Sequence, residues 1–117
     1  MKKDIAMKWV AALRSGNYKQ GKGRLRSKDN HFCCLGVLCN LHAQAHPEIA
    51  KTQLKPNEYL GEQAVLPAGV MVWAGMHSNT GQHRRRHLGL PLTLLNDSAG
   101  VNFNEIADII KKEYTHY

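Results

Sequence analysis

Apolar residues recur at helical spacing in the first stretch of the chain. Ile5, Trp9, Ala12 and Leu13 follow one another at steps of three and four, predicting a helix capped by Asp4. It runs to about Ser15, and Gly16 closes it. Over 17–26 the glycines break helical periodicity, and alternation takes its place, predicting an extended segment. Lys28-Asp29-Asn30 reads as a turn and His31-Phe32-Cys33 as a short return strand. The next stretch predicts a helix from Cys34 to about Ala45, with Cys34, Leu35, Val37, Leu38, Leu41 and Ala45 on one broad face. Pro47 forces His46 out of helical geometry and ends it.

Residues 47–64 have no strong period, with Pro56-Asn57 as a turn and Glu58-Tyr59-Leu60 as a short strand. Pro67 suits the first turn of a third helix that carries Val70, Val72 and Trp73 and stops at Gly75. Residues 76–90 read as a loop. Pro91 begins a short helix through Leu94 and Leu95, ended by Asn96-Asp97-Ser98-Ala99-Gly100. The last helix has the clearest start signal. Asn102 caps it, Glu105 follows three residues later, Val101 staples to Ile106, and Phe103, Ile106, Ala107 and Ile110 form its stripe. These elements predict an α+β fold: one small, mostly helical domain over 1–117, with a short antiparallel β-hairpin or sheet.

Length changes the picture little: 117 residues with 43% hydrophobic and 21% charged side chains suit one globular domain. No apolar run approaches the roughly 20 residues that span a bilayer. The N-terminal Met1-Lys2-Lys3-Asp4 leads into an amphipathic stretch and not a secretory core, so a cytoplasmic protein without membrane contact is expected. Three cysteines within seven residues, Cys33, Cys34 and Cys39, fit a reducing compartment better than a disulfide framework.

Charge changes the picture more. The net charge of +7 is concentrated: residues 1–30 carry nine bases and two acids, and Arg84-Arg85-Arg86 forms a second spike. Lys19, Lys22, Arg24, Arg26 and Lys28 fall in the extended segment. A ribbon alternates its faces, so Lys22, Arg24, Arg26 and Lys28 project together while Leu25 points to the core. With Arg84, Arg85 and Arg86, flanked by His83 and His87, these residues make a candidate surface for an anionic partner. One aromatic, Tyr18, is too few for a base-stacking platform, and no named nucleic-acid motif is present.

Three blocks carry a resemblance. They are Lys8-Trp9-Val10-Ala11-Ala12-Leu13-Arg14-Ser15-Gly16-Asn17-Tyr18-Lys19-Gln20-Gly21-Lys22-Gly23, then Phe32-Cys33-Cys34-Leu35-Gly36-Val37-Leu38-Cys39, then Leu95-Asn96-Asp97-Ser98 with Phe103-Asn104-Glu105-Ile106-Ala107-Asp108-Ile109-Ile110. In this order they resemble a family of small accessory proteins of tailed phages and prophages. The resemblance implies a protein acting in the cytoplasm of an infected or lysogenic bacterium, and it carries over no catalytic residue. Arg84 to Arg86 lie outside its blocks.

The candidate chemistry leaves three readings open. The first is a non-enzymatic binding protein whose basic surface engages nucleic acid, a nucleotide or an acidic host protein, with inhibition of a host defence as its role. The second is a small enzyme using Cys33, placed at a helix N-terminus near His31, or a carboxylate such as Asp97. The third is a zinc-stabilised module in which Cys34, Cys39, His42 and His46 supply ligands of the right type. Core packing is the plainer role for these thiols, and turn formation the plainer role for Asp97 and Ser98. No phosphate-cradling glycine loop is present and no cofactor is expected.

Overall fold

A computed structural model describes residues 1–52, 57–85 and 89–117. In chain order the elements are α1 (Lys3–Arg14), β1 (Lys19–Gln20), β2 (His31–Phe32), α2 (Cys34–Ala45), α3 (Pro47–Thr52), α4 (Ala68–Ala74), α5 (Leu92–Asp97) and α6 (Phe103–Glu113), followed by a 3₁₀ turn at Tyr114–His116. The buried apolar side chains of all these helices but α3 join one core.

The packing follows from the helix faces. α1 turns Ile5, Ala6, Trp9, Val10 and Leu13 inward against α6, which answers with Phe103, Ile106, Ala107 and Ile110. Ile106 and Ile110 are fully buried, each contributing roughly 1.5–3 kcal/mol. α2 is the central helix. Every residue from Cys34 to Cys39 is buried, as expected of a helix that is apolar all round. The Trp9 indole N–H donates to the Cys34 carbonyl at 2.9 Å, so the largest core side chain leaves no polar atom unpaired.

α2 and α6 begin where the sequence places them. Asn102 caps α6, its side-chain oxygen accepting the Glu105 backbone N–H at 2.9 Å. α1 begins two residues earlier than predicted, with Lys2 and not Asp4 as the cap. The reason is tertiary: the Lys2 N–H donates to Ala74 O at 2.8 Å, which sets the entry of the chain. Asp4 instead sits in the first turn, where its carboxylate complements the helix dipole. In α4 Val70 and Ala74, four apart, face the core, whereas Val72 is 76% exposed. A residue two steps from Val70 lies on the opposite side of a helix, so the inward stripe excludes Val72. α3 occupies a stretch read as aperiodic, and Asn96 and Asp97 close α5 instead of following it. Tyr59 forms only an isolated bridge to Glu62 and not a strand, and Pro56 lies outside the described residues.

The sheet departs most from expectation. β1 and β2 pair in parallel, with Lys19 opposite His31 and Gln20 opposite Phe32. The antiparallel hairpin survives only as a single bridge between Arg26 and Phe32 on the other side of β2. The chain leaves β1, bends through 22–25, turns at Ser27–Asn30 with Asn30 left-handed (φ 62°), and enters β2 between its two neighbours. Gln20 holds this arrangement. Its side-chain nitrogen donates to Asn96 Oδ1 and Val101 O, both at 2.9 Å, and its oxygen accepts the Phe103 N–H at 3.0 Å.

Candidate functional site

The basic stretch is a loop whose backbone is tied down at successive points. Gly21 N–H donates to Phe32 O at 2.7 Å, Leu25 N–H to Gln63 O at 2.7 Å, and Ser27 N–H to His31 O at 2.8 Å; Arg24 O accepts the Cys33 N–H at 3.3 Å. Asn96 is a second anchor. Its oxygen accepts from Gln20 and from the Cys34 N–H (3.1 Å), while its nitrogen donates to Gly21 O and Asp97 Oδ1, both at 2.8 Å. This one buried amide joins the loop, the start of α2 and α5.

Leu25 is buried, and its backbone crosses α2 at Gly36. A Cβ at Gly36 would sit 1.7 Å from Leu25 O, so only glycine permits the crossing. The Cys-Cys-Leu-Gly-Val-Leu-Cys block therefore has a structural meaning. Its glycine receives the loop, and its three thiols are buried in the core.

Lys19, Lys22, Arg24, Arg26 and Lys28 all stand exposed on this anchored frame. Lys22 and Arg24 project from bends and Lys28 from a turn, while Lys19 lies in β1 and Arg26 in the bridge to Phe32, so the five do not share a straight ribbon edge. Arg26 is preoriented: its Nε donates to Asn30 Oδ1 at 2.8 Å, and its guanidinium lies 5.7 Å from the Phe32 ring centroid. Arg24 reaches Gln63 Oε1 at 3.4 Å. Among the described residues none of these cations is paired with a carboxylate. Tyr18 is unavailable for base stacking, because Asn40 holds its hydroxyl at 2.6 Å and its ring meets Phe32 edge to face.

The second basic arm is placed differently. Arg84 and Arg85 are exposed, and the Arg84 N–H donates to His116 O at 2.8 Å. Burial, and then the Arg84 charge, lower the pKa of the Met1 amino group. Arg86 and His87 lie outside the described residues. His83 is not a surface flank of the arginines. It is buried against Glu113, His116 and Tyr117. Glu113 and His116 stand at helical spacing, a signal legible in the sequence, but His83 comes from a distant loop and was not grouped with them.

The thiols are core residues. Burial pushes Cys33 up to about 11, outweighing the helix N–H groups of Gly36 and Leu35. Cys34 and Cys39 are raised further, also by burial first. All three are thiols at neutral pH, which removes the support for Cys33 as a nucleophile. Asp97 accepts a hydrogen bond from its neighbour Asn96, in keeping with a local structural role.

The four residues considered for zinc do not converge. Cys34 Sγ faces Leu92 O at 3.7 Å. His42 Nδ1 meets the Tyr59 hydroxyl at 2.6 Å, and His46 Nδ1–H donates to His42 O at 2.8 Å, with the two rings stacked at 4.2 Å. An open depression of about 370 Å³ lined by Met71, His77, Ser78, Asn79 and Gln82 holds no lysine or arginine and lies apart from the basic loop's residues. Among the described residues no helix is long and apolar enough to cross a membrane.

Fold and site together define a small helical α+β domain that displays cations on a backbone-anchored loop. The chain belongs to the family described as a domain of unknown function (DUF8296), whose model matches residues 1–114. Neither the curated proteins nor the solved structures contain a match to it.

Proposed function

We propose that this protein is a non-enzymatic binding protein that engages an anionic partner through Lys19, Lys22, Arg24, Arg26 and Lys28. The observation that carries the reading is the pairing of exposed, uncompensated cations with a backbone fixed by hydrogen bonds and by the Gly36 contact. A fixed backbone loses little conformational freedom on binding, so the ordering cost falls on the side chains alone. Arg84 and Arg85 extend the basic surface. The resemblance of the three sequence blocks to phage accessory proteins supports a role in an infected bacterium, with blockade of a host defence component as the purpose. The buried, protonated thiols favour this reading over a cysteine enzyme.

The test is capture from bacterial lysate by immobilised protein, eluted with a salt gradient, alongside anisotropy titrations of a short labelled DNA duplex. Arg24→Glu with Arg26→Glu is expected to abolish capture while leaving the fold intact. If nucleic acid is the partner, Arg24→Ala with Arg26→Ala reduces the slope of log affinity against log salt by about 2. Capture of the same partner by wild type and by the charge-reversed variant overturns the proposal.

A further inference from the structure

We propose that His83, Glu113 and His116 form a binding site for a divalent transition metal, of which zinc is the best match. Their ligand atoms already converge. His83 Nε2 lies 3.5 Å and His116 Nε2 3.7 Å from Glu113 Oε2, and the three atoms fall within 4.8 Å of one another. Ligands at zinc distances in a tetrahedral site are separated by about 3.4 Å. Shifts of well under an ångström at most of these positions, and somewhat more between the two histidines, would close the set. Two imidazoles with one carboxylate are a known zinc donor set that leaves a fourth position for water. Glu113 and His116 are only partly buried, so that position has access to solvent.

The backbone supports the convergence. Glu113 ends α6, and His116 follows on the 3₁₀ turn. The Arg84 N–H donates to His116 O, the His77 N–H to Tyr117 O at 3.2 Å, and the Met1 amino group to Tyr114 O at 3.1 Å. The loop that carries His83 is thus stitched to the turn that carries His116. The Tyr117 ring packs edge-on against His83, with centroids 5.4 Å apart, and limits its rotation.

Two features oppose metal binding, and their size matters. His83 Nδ1 accepts the Arg85 N–H at 3.0 Å, so without metal its proton sits on Nε2 and points at Glu113. Ligation moves the proton to Nδ1, where it faces the Arg85 N–H donor; that hydrogen bond is lost and the Arg85 N–H must turn to another acceptor, which lowers affinity by roughly 10- to 100-fold. Arg84 adds positive charge nearby, against which the Glu113 carboxylate supplies the compensating negative charge. The family match covers residues 1–114, so His83 and Glu113 lie inside it and His116 just outside.

The experiment uses the full chain after chelator treatment and dialysis, titrated with zinc chloride by calorimetry and with cobalt chloride by absorption. The expected result is one ion per chain and cobalt bands without thiolate charge transfer. Glu113→Gln, a near-isosteric change, and His116→Ala should each weaken binding beyond the roughly 10- to 100-fold typical of a supporting residue. His42→Gln should leave it unchanged. Circular dichroism identifies any variant that fails to fold, and Glu113→Gln decides the matter if His116→Ala does. No binding at millimolar zinc, a thiolate-to-cobalt band, or wild-type affinity in Glu113→Gln overturns the proposal.

Discussion

The N-terminal end of α2 is wholly buried and its C-terminal end is buried at His42, and different physics holds the two. At the N-terminal end, backbone meets backbone: Leu25 crosses at Gly36, Asn96 takes the Cys34 N–H, and Cys33 and Cys34 are buried there. None of these contacts depends on a charge near neutral pH. At the C-terminal end, His42 and His46 stack on one another, with Tyr59 and Trp73 meeting His42 edge to face. Burial first, and the neighbouring His46 second, favour the uncharged form of His42 in this packing. One end is therefore sensitive to shape and the other to protons. The basic loop is built on the end that is sensitive to shape, so its display of cations is insulated from modest changes in pH.

The most damaging test of this contrast is Gly36→Ala. The new methyl group has no room against Leu25 O, and the loop must lift from the helix. We expect a loss of about 3 kcal/mol or more in denaturant unfolding, or failure to fold. Gly69→Ala is the control. It lies in α4 with only Leu60 Cδ1 at 3.8 Å from the added methyl, and should be neutral or stabilising by up to about 1 kcal/mol. Equal losses in the two variants would refute the close-approach argument.

Asn96→Ala comes next. It strands the Cys34 N–H and Gly21 O, and we expect about 2–3 kcal/mol of destabilisation. Hydrogen exchange should show faster opening at Gly21 and Cys34 than at the core of α6. Uniform acceleration throughout the chain would mean that Asn96 is not a local anchor.

The proton-sensitive end gives smaller effects. Burial first, and the neighbouring His46 second, lower His42 below its ordinary value of 6.5. The unfolded chain therefore takes up this proton before the folded one does. The stabilising contribution is complete above about pH 6.5 and is lost as pH falls through that value toward the lower folded pKa. Unfolding free energies measured from pH 8 downward should decline in this window, and less so in His42→Gln. Tyr59→Phe should cost about 1 kcal/mol at neutral pH by removing the hydroxyl from His42 Nδ1. A steeper acid loss in His42→Gln than in wild type would contradict the contrast between the two ends.

The smallest effect is expected away from both. Arg14 and Asp108 form an ion pair between α1 and α6, but both are well exposed. Asp108→Asn should change stability by no more than about 0.5 kcal/mol, and less at high salt.

Much of this was legible in local signals. The bounds of α2 follow from the apolar run and from Pro47, and the start of α6 from Asn102 and Glu105, because capping and periodicity involve residues within one turn of each other. The exposure of the basic residues follows from their charge and the burial of Leu25 from its apolar side chain, but the alternating ribbon expected to carry them is a bent loop. The strand direction was not legible. A glycine-bearing stretch followed by a turn and a short apolar strand favours a hairpin when read alone. The competing partners of Gln20 lie at Asn96, Val101 and Phe103.

The histidines divide in the same way. His42 and His46 are neighbours on one helix, and their proximity could be read from spacing. His83 meets Glu113 and His116 only because the loop after α4 is bonded to the final turn. The sequence by itself determined the helices other than α3, most of their apolar faces and the positions of the charges, since each depends on short-range sterics and burial. Tertiary structure alone decided the parallel pairing, the crossing at Gly36, the Asn96 hub and the His83 cluster. Each of these satisfies a polar group or fills a space with atoms from remote parts of the chain, and no local preference encodes which remote atoms arrive.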